Sequence, residues 1–162
     1  MTQLSSDSEL AAPVDMESRL SEDAHLSQRL WLRMVSCTVK LETEIRSRLR
    51  LEFGITLPRF DLMAHLESHP EGLRMGELSR RMMVTGGNVT GIANQLAKEN
   101  LIERIVDVND RRSFSLKLTP EGLASFKKMA RAHEQWIEEL LQGLQMEEKQ
   151  EVLSLLSKAK GG

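Results

Sequence analysis

The segment from residue 101 to residue 119 constrains the fold of this chain more than any other. Phe114, Leu116 and Leu118 alternate with polar residues, and a period of two over this length is typical of a half-buried strand. The preceding run "LIERIV" is a candidate for a second strand, and the polar stretch "DVNDRR" between the two suits a turn. We therefore predict a β-hairpin whose tip carries Arg111 and Arg112, side chains that suit water or an anionic partner.

The composition is that of an ordinary soluble domain. The 162 residues are enough for one domain with a substantial core, and the contents of 40% hydrophobic and 28% charged residues are common. No apolar run approaches the roughly 18 residues that a membrane span needs. The N-terminal stretch lacks the basic and apolar parts of a signal peptide, and the single cysteine cannot form an internal disulfide. We therefore expect a cytoplasmic protein.

The charges are unevenly distributed along the chain. Residues 1–23 carry six acidic residues and one basic residue, and we expect them to form a flexible acidic tail. Residues 74–117 carry eight basic and five acidic residues. The net charge of −2 thus hides a basic middle, which suits an anionic partner.

Apolar residues at helical spacing predict helices before the hairpin. The first runs from His25 to about Leu51 and ends near Gly54, and a second begins around Pro58 and stops before Pro70. A short helix at Met75–Met83 follows, and then a helix at Gly86–Lys98. Thr85 is a plausible N-cap for this helix and Asn100 suits the position after its end. Its predicted apolar face consists of Val89, Ile92, Ala93 and Leu96.

Two more helices follow the hairpin. Thr119 is the predicted N-cap of the first, Pro120 is its first residue, and it reaches about Gln142. The last helix, Met146–Lys158, is expected to bury Val152 and three leucines. The two helices carry more apolar surface than a small domain can cover alone, which predicts a dimer. The residues of this expected dimer face are Trp136, Ile137, Leu140, Leu141, Leu153, Leu155 and Leu156.

These elements together predict a mainly α fold with a small β-hairpin, of the winged helix-turn-helix type. In such a motif the second helix enters the major groove of DNA and offers its N-terminal side chains to the bases. The hairpin reaches the adjacent minor groove, where arginine suits the strongly negative potential. The predicted DNA-binding residues are Arg80, Arg81, Thr85, Gly86, Gly87, Asn88, Thr90, Arg111 and Arg112.

The stretches "GELSRRMMVTGGNVTGIANQLAKEN" and "LIERIVDVNDRRSFSLKLTPEG" resemble the DNA-binding core of the MarR family of bacterial regulators. The most specific signature is Asp110-x-Arg112 followed by Leu118, Thr119 and Gly122. The resemblance implies that Asp110 holds Arg112 in place for contact with the minor groove. Gly86 and Gly87 replace the bulkier residues common in the family, so Asn88 and Thr90 are expected to carry more of the base reading.

The resemblance also implies a homodimer on a pseudo-palindromic operator, in which a small ligand releases the DNA. Residues 24–162 would form the family domain, with 24–56 and 119–162 as dimerisation helices and 57–118 as the winged helix-turn-helix. The implied function is that of a ligand-responsive regulator, a repressor of a catabolic operon, with no cofactor. The stretch "TLPRFDLMAHLESHPEGLRMGELSRRMMVTGGNVTG" is similar to family members that control aromatic-acid catabolism.

An aromatic acid or its CoA thioester is therefore the expected effector. A flat ligand suits a pocket between the first helix and the DNA-binding part, and each of its apolar candidates is also a good core residue. The candidate ligand-binding residues are Arg29, Trp31, Arg33, Met34, Phe60 and Met63. The arginines that could meet the phosphates of CoA are Arg29, Arg33, Arg46, Arg48, Arg50 and Arg59.

Other functions have weaker support in the sequence. Cys37 suggests a thiol-based redox sensor as an alternative, although a core cysteine is the better interpretation. His65 and His69 have a spacing that can chelate a metal, but two ligands make a poor site. The chain lacks the motifs of a serine hydrolase, a zinc protease or a nucleotide-binding loop, which argues against an enzyme. A winged helix that binds only protein would not need a hairpin tip with two arginines.

Overall fold

The computed structural model describes residues 25–82, 86–106 and 114–161. These residues form a mainly helical fold with a small antiparallel sheet, as predicted, and the predicted helix ends agree closely with the observed ones. None of the helices in these ranges combines the length and the apolar character needed to span a membrane. The helices are α1 (Leu26–Phe53), α2 (Leu57–Glu67), α3 (Met75–Arg81), α4 (Gly86–Lys98), α5 (Pro120–Leu140) and α6 (Met146–Ala159), and the strands are β1 (Leu73–Arg74), β2 (Ile102–Val106) and β3 (Phe114–Leu118).

The chain divides into two compact units, Met1–Glu42 and Thr43–Gly162. The first unit, described from His25 onward, consists of the first part of α1, where Leu26, Leu30 and Trp31 are exposed. The second unit contains the rest of α1 and all of the other elements. It also contains every buried core residue in the described part of the chain.

The predicted hairpin is confirmed, and its strands belong to a sheet with the order β1-β3-β2. In the antiparallel pair of β2 and β3, Ile102 lies opposite Leu118 and Val106 lies opposite Phe114. Strand β1 was not predicted, because two residues are too few to show a period. It extends the sheet by pairing Leu73 with Leu116.

The core lies among α2, α3, α4, α5, the sheet and the second part of α1. Its largest members come from all of these elements, so the helices stabilise one another through this shared core. Fully burying one such side chain stabilises the fold by about 1.5–3 kcal/mol. The largest side chains with almost no exposure are Leu49, Leu62, Met63, Leu66, Leu78, Val89, Leu96, Leu116 and Met129.

The first two helices meet at a tight corner. Gly54 ends α1 with a φ of +63°, a left-handed conformation that glycine adopts at little cost. Thr56 then has extended dihedral angles as the N-cap of α2, and Pro58 lies in the first turn of that helix. The corner ends α1 and starts α2 within three residues, Gly54 to Thr56.

Trp136 is buried inside the chain, so its predicted place on a dimer face is wrong. It is only 5% exposed, and its ring centroid lies 6.1 Å from that of Phe53. The Arg48 guanidinium lies 6.0 Å from the Trp136 ring centroid. This guanidinium donates hydrogen bonds to Glu139, at 2.6 Å, and to Glu44, at 3.0 Å. Both bonds raise the pKa of Arg48, and the bond to Glu139 has the larger effect.

The predicted burial of the apolar residues in α6 is also wrong for the single chain. Val152, Leu153, Leu155 and Leu156 are 42–65% exposed, and no residue of α6 is buried. These side chains follow helical spacing, which explains the prediction, but no other part of the described chain covers them.

Candidate nucleic-acid interface

Helices α3 and α4 are the two helices predicted for a helix-turn-helix. Leu78 and Met82 are buried at 0% and 4% exposure and fix α3 to the core. Arg80 and Arg81, in the last turn of α3, are both exposed. Residues 83–85 follow, so the predicted N-cap Thr85 lies outside the described residues.

Helix α4 has one buried apolar face and one exposed polar face. It begins at Gly86 and Gly87, as predicted, and ends at Lys98. Asn88 and Thr90 are exposed near its N-terminus, and Asn94 is exposed one turn later. The predicted apolar face is confirmed, with exposures of 0–5% for Val89, Ile92, Ala93 and Leu96. Burial of that face fixes the orientation in which the polar residues are presented.

The sheet is fixed to α4 by one arginine. The Nη2 of Arg104, on β2, donates a hydrogen bond of 2.5 Å to Oδ1 of Asn94. The same guanidinium lies 5.1 Å from the ring centroid of Phe114 on β3, a favourable cation–π geometry. Arg104 does not stand out in the sequence, because its two partners lie in different elements.

The tip of the hairpin lies outside the described residues. Val106 and Phe114 are paired at the ends of their strands, and residues 107–113 join them. These include Asp110, Arg111 and Arg112, so their predicted roles stay predictions.

The Leu-Thr-x-x-Gly signature forms a junction at the base of the hairpin. The Oγ1 of Thr119 donates to the carbonyl oxygen of Asn100 at 2.6 Å and accepts from the backbone N–H of Gly122 at 3.0 Å. The Thr119 N–H donates to the carbonyl oxygen of Leu101 at 3.1 Å. Thr119 is therefore the N-cap of α5, as predicted, and also bonds the turn after α4. Asn100, with a φ of +58°, occupies the predicted position after that helix.

Gly122 is required by the close approach of two backbone segments in this junction. A Cβ atom at this position would lie 1.8 Å from the carbonyl oxygen of Leu101. That distance is far below any van der Waals contact, so a larger residue would push α5 away from the hairpin. We define the Thr119 junction as Asn100, Leu101, Thr119 and Gly122.

An ion pair joins α2 to the end of α4. A nitrogen of the Arg59 guanidinium donates to a carboxylate oxygen of Glu99, the residue after α4. The Arg59 side chain is only 12% exposed. Arg48 is similarly occupied by Glu44 and Glu139. Two of the arginines suggested for CoA phosphates therefore have carboxylate partners within the chain.

The six predicted ligand-binding residues fall into two groups. The first group lies on the first part of α1. In this group Trp31 is 57% exposed, Arg33 is exposed, and Arg29 and Met34 are half-buried. Phe60 and Met63, at 7% and 0%, belong to the core of the second unit.

Phe60 packs against aromatic neighbours on α5. Its ring centroid lies 5.4 Å from that of Phe126 and 5.0 Å from that of His133. Burial in this cluster lowers the pKa of the His133 imidazole, because the charged form loses its hydration.

Cys37 is exposed, so the interpretation as a core cysteine is wrong for the single chain. The imidazole of His69 lies 2.8 Å from the backbone oxygen of His65, and His65 lies 3.7 Å from Asp61. Within the ranges that the structure describes, no group of three or more His, Cys, Asp or Glu side chains is placed to hold a metal ion.

Comparison with known proteins agrees with this architecture. A model of the MarR family matches residues 53–113. The HTH-type transcriptional repressor MdtR of Bacillus subtilis (strain 168) is 36% identical over 76 residues, which cover 47% of this chain and 48% of MdtR. The chain spans about half the length of the curated relatives that it matches first.

Solved structures match over most of the chain. A MarR family transcriptional regulator from Silicibacter pomeroyi is 34% identical, with a TM-score of 0.72 over 86% of this chain and 96% of the other. A cysteine-to-serine mutant of MarR from E. coli, complexed with operator DNA, shares the fold with a TM-score of 0.72 at 21% identity, over 86% of this chain and 99% of the other. The match to the Silicibacter pomeroyi protein, together with the α3–α4 pair and its sheet, shows that this chain belongs to the MarR family.

Proposed function

We propose that the protein is a transcriptional regulator that binds duplex DNA with α4 in the major groove. The observation that carries this proposal is the exposed polar face of α4, held by a fully packed apolar face. Asn88 and Thr90 lie on the exposed face near the N-terminus, the end that contacts base edges in helix-turn-helix proteins. An asparagine amide both donates and accepts, which matches the major-groove edge of adenine.

The flanking basic residues are proposed to contact the DNA backbone and the minor groove. Arg80 and Arg81 are exposed at the end of α3, where they are suited to phosphates. Arg111 and Arg112 are assigned to the minor groove from the sequence. The Arg104 bond to Asn94 supports this arrangement, because it couples the strands that carry the hairpin tip to α4.

Fluorescence anisotropy with duplexes from the promoter of its own gene tests the proposal. We expect Asn88→Ala to weaken binding by about 1–3 kcal/mol per lost base contact. The matched control is Gln135→Ala, an exposed position on α5 that should leave the affinity unchanged. If no promoter duplex binds more tightly than a random duplex, the protein is not a sequence-specific regulator.

We further propose that the protein acts as a dimer and represses transcription. Apolar side chains are exposed on α6 and on the first part of α1. A second copy of the chain, related by twofold symmetry, would bury them in a shared interface. A twofold dimer presents two copies of α4 to half-sites about 34 Å apart, as a pseudo-palindromic operator requires. The relation to the repressor MdtR supports repression.

Light scattering measures the oligomeric state directly. At micromolar concentration we expect twice the 18.4 kDa of one chain. Leu153→Asp should shift the protein towards monomers, because it places a charge in the apolar face of α6, whereas Gln150→Asp on the same helix should not. A wild-type protein that stays at 18.4 kDa would contradict the dimer.

The proposed effector is an aromatic acid or its CoA thioester. The exposed Trp31 and the half-buried Met34 offer aromatic and thioether surface on α1, with Arg29 and Arg33 as cationic neighbours in the sequence. Phe60 is buried and can contact a ligand only after its neighbours move. The residues of α1 are therefore the first candidates for contact with the effector.

Titration calorimetry with benzoyl- and cinnamoyl-type acids and their CoA thioesters tests this effector. We expect at least one compound to bind and to weaken DNA binding about 5–150-fold, the usual range of allosteric coupling. Trp31→Ala should abolish that binding, and Val39→Ala, another exposed position on α1, should not. If no compound binds, or if one binds without loss of DNA affinity, the effector class is wrong.

A further inference from the structure

A cleft beside α4 is unexplained by the functions proposed above. It has a volume of about 570 Å³ and is formed by the end of α1, the start of α2 and one side of α4. Arg46 and Arg50 contribute from α1, Thr56 from the corner before α2, and Asn88 and Gln95 from α4. The whole cleft lies within the Thr43–Gly162 unit.

The charges in this cleft favour an anion. Arg46 and Arg50 are four residues apart and therefore lie on the same side of α1, and both are exposed. The described lining residues include no carboxylate. The two cationic side chains thus stand together in a concave site, where their attraction for an oxyanion adds up.

The polar atoms around these arginines strengthen the preference. Thr56 is the N-cap of α2 but its side chain makes no capping hydrogen bond, so the hydroxyl is not engaged in that role. The start of α2 also carries the positive end of the helix dipole. Leu57 and Ile92 add apolar surface to the lining, and the volume is that of a typical small-ligand site. The cleft therefore suits an oxyanion attached to a less polar group.

We propose that this cleft is an oxyanion-binding site that takes a phosphate of the DNA backbone next to the bases read by α4. Asn88 belongs both to the cleft and to the proposed base-reading face, which places the bound anion at the edge of the DNA interface. A small carboxylate or phosphate compound has the same chemistry and is the other source of the anion. Such a compound would compete with DNA directly. The assignment to a DNA phosphate rests on the proposed function.

The salt dependence of DNA binding tests the phosphate contact. We compare the wild type with Arg50→Gln, the double variant Arg46→Gln/Arg50→Gln and the control Arg131→Gln, an exposed arginine on α5. The probe is a random-sequence duplex, because a phosphate contact does not depend on sequence. The slope of log K against log salt should become shallower by about 0.9 for each lost contact, or about 1.8 per dimer for Arg50→Gln. The control should keep the wild-type slope, and circular dichroism should show all four proteins folded.

Calorimetry on the DNA-free protein identifies a small-molecule source. Inorganic phosphate and benzoate are titrated into the wild type, the double variant and the control. Binding that the double variant loses, with an unchanged salt slope, assigns the cleft to a small anion. If the double variant matches the control in both the salt slope and the anion titrations, the site does not exist. A wild type that fails to bind any DNA contradicts the proposed function instead, and the anion titrations then decide the cleft alone.

Discussion

Gly122→Ala is expected to lower the free energy of unfolding by about 3–5 kcal/mol, the upper range for a single substitution. The added Cβ would lie 1.8 Å from the carbonyl oxygen of Leu101, and backbone atoms cannot rotate away as a flexible side chain can. The first turn of α5 must therefore move, which also stretches the bond between Gly122 N–H and Thr119 Oγ1. The substitution damages packing and hydrogen bonding together.

Thermal and urea unfolding at a fixed protein concentration measure this loss. The matched control is Gly76→Ala in α3, where an added Cβ meets nothing within 4 Å. Since alanine favours a helix over glycine by about 0.5–1 kcal/mol, the control should be as stable as the wild type or slightly more stable. If both variants have the same free energy of unfolding as the wild type, the two backbone segments do not approach as closely as described at the Thr119 junction.

Arg112→Ala is expected to leave the fold intact and to weaken DNA binding by about 1–3 kcal/mol per subunit. A cation in a narrow minor groove meets a strongly negative potential, and the loss of this contact occurs twice in a dimer. Anisotropy with promoter DNA measures the effect. Arg131→Ala on α5 is the matched control, and it should bind as the wild type does.

Asp110→Ala distinguishes an orienting aspartate from simple charge. If Asp110 holds Arg112 in place, its removal should weaken binding, although it takes away a negative charge near the DNA. Charge counting alone predicts tighter binding. A variant that binds more tightly, with an unchanged circular dichroism spectrum, would show that Asp110 has no orienting role.

Local periodicity explains which parts of the fold were predictable. The alternation of Phe114, Leu116 and Leu118 predicted a strand, and β3 pairs with β2 over five residues of each strand. The helices were predicted because several turns of apolar spacing carry a strong signal. Asn100 and Thr119 were predicted as end residues because capping depends on the neighbouring backbone.

The wrong predictions concern contacts between distant parts of the chain or with another chain. The burial of Trp136 depends on Phe53 and Arg48, which no pattern around residue 136 reveals. The exposure of α6 could not be inferred either, since an apolar face looks the same whether its cover comes from the same chain or another. The sequence showed Arg48 and Arg59 as candidates for phosphate binding, but not that Glu44, Glu139 and Glu99 are their ion-pair partners.

The Thr119 junction couples movements of α5 to α4 and to the hairpin. Its hydrogen bonds join the turn after α4 and the start of the hairpin to the first turn of α5, so these parts move together. The 21 residues of α5 span about 31 Å at ~1.5 Å per residue. A tilt of about 5° at the far end of such a helix displaces the junction by about 3 Å. That displacement is close to the ~3.4 Å between neighbouring base pairs, so a small rotation of α5 would shift the turn after α4 by about the length of one base-pair step.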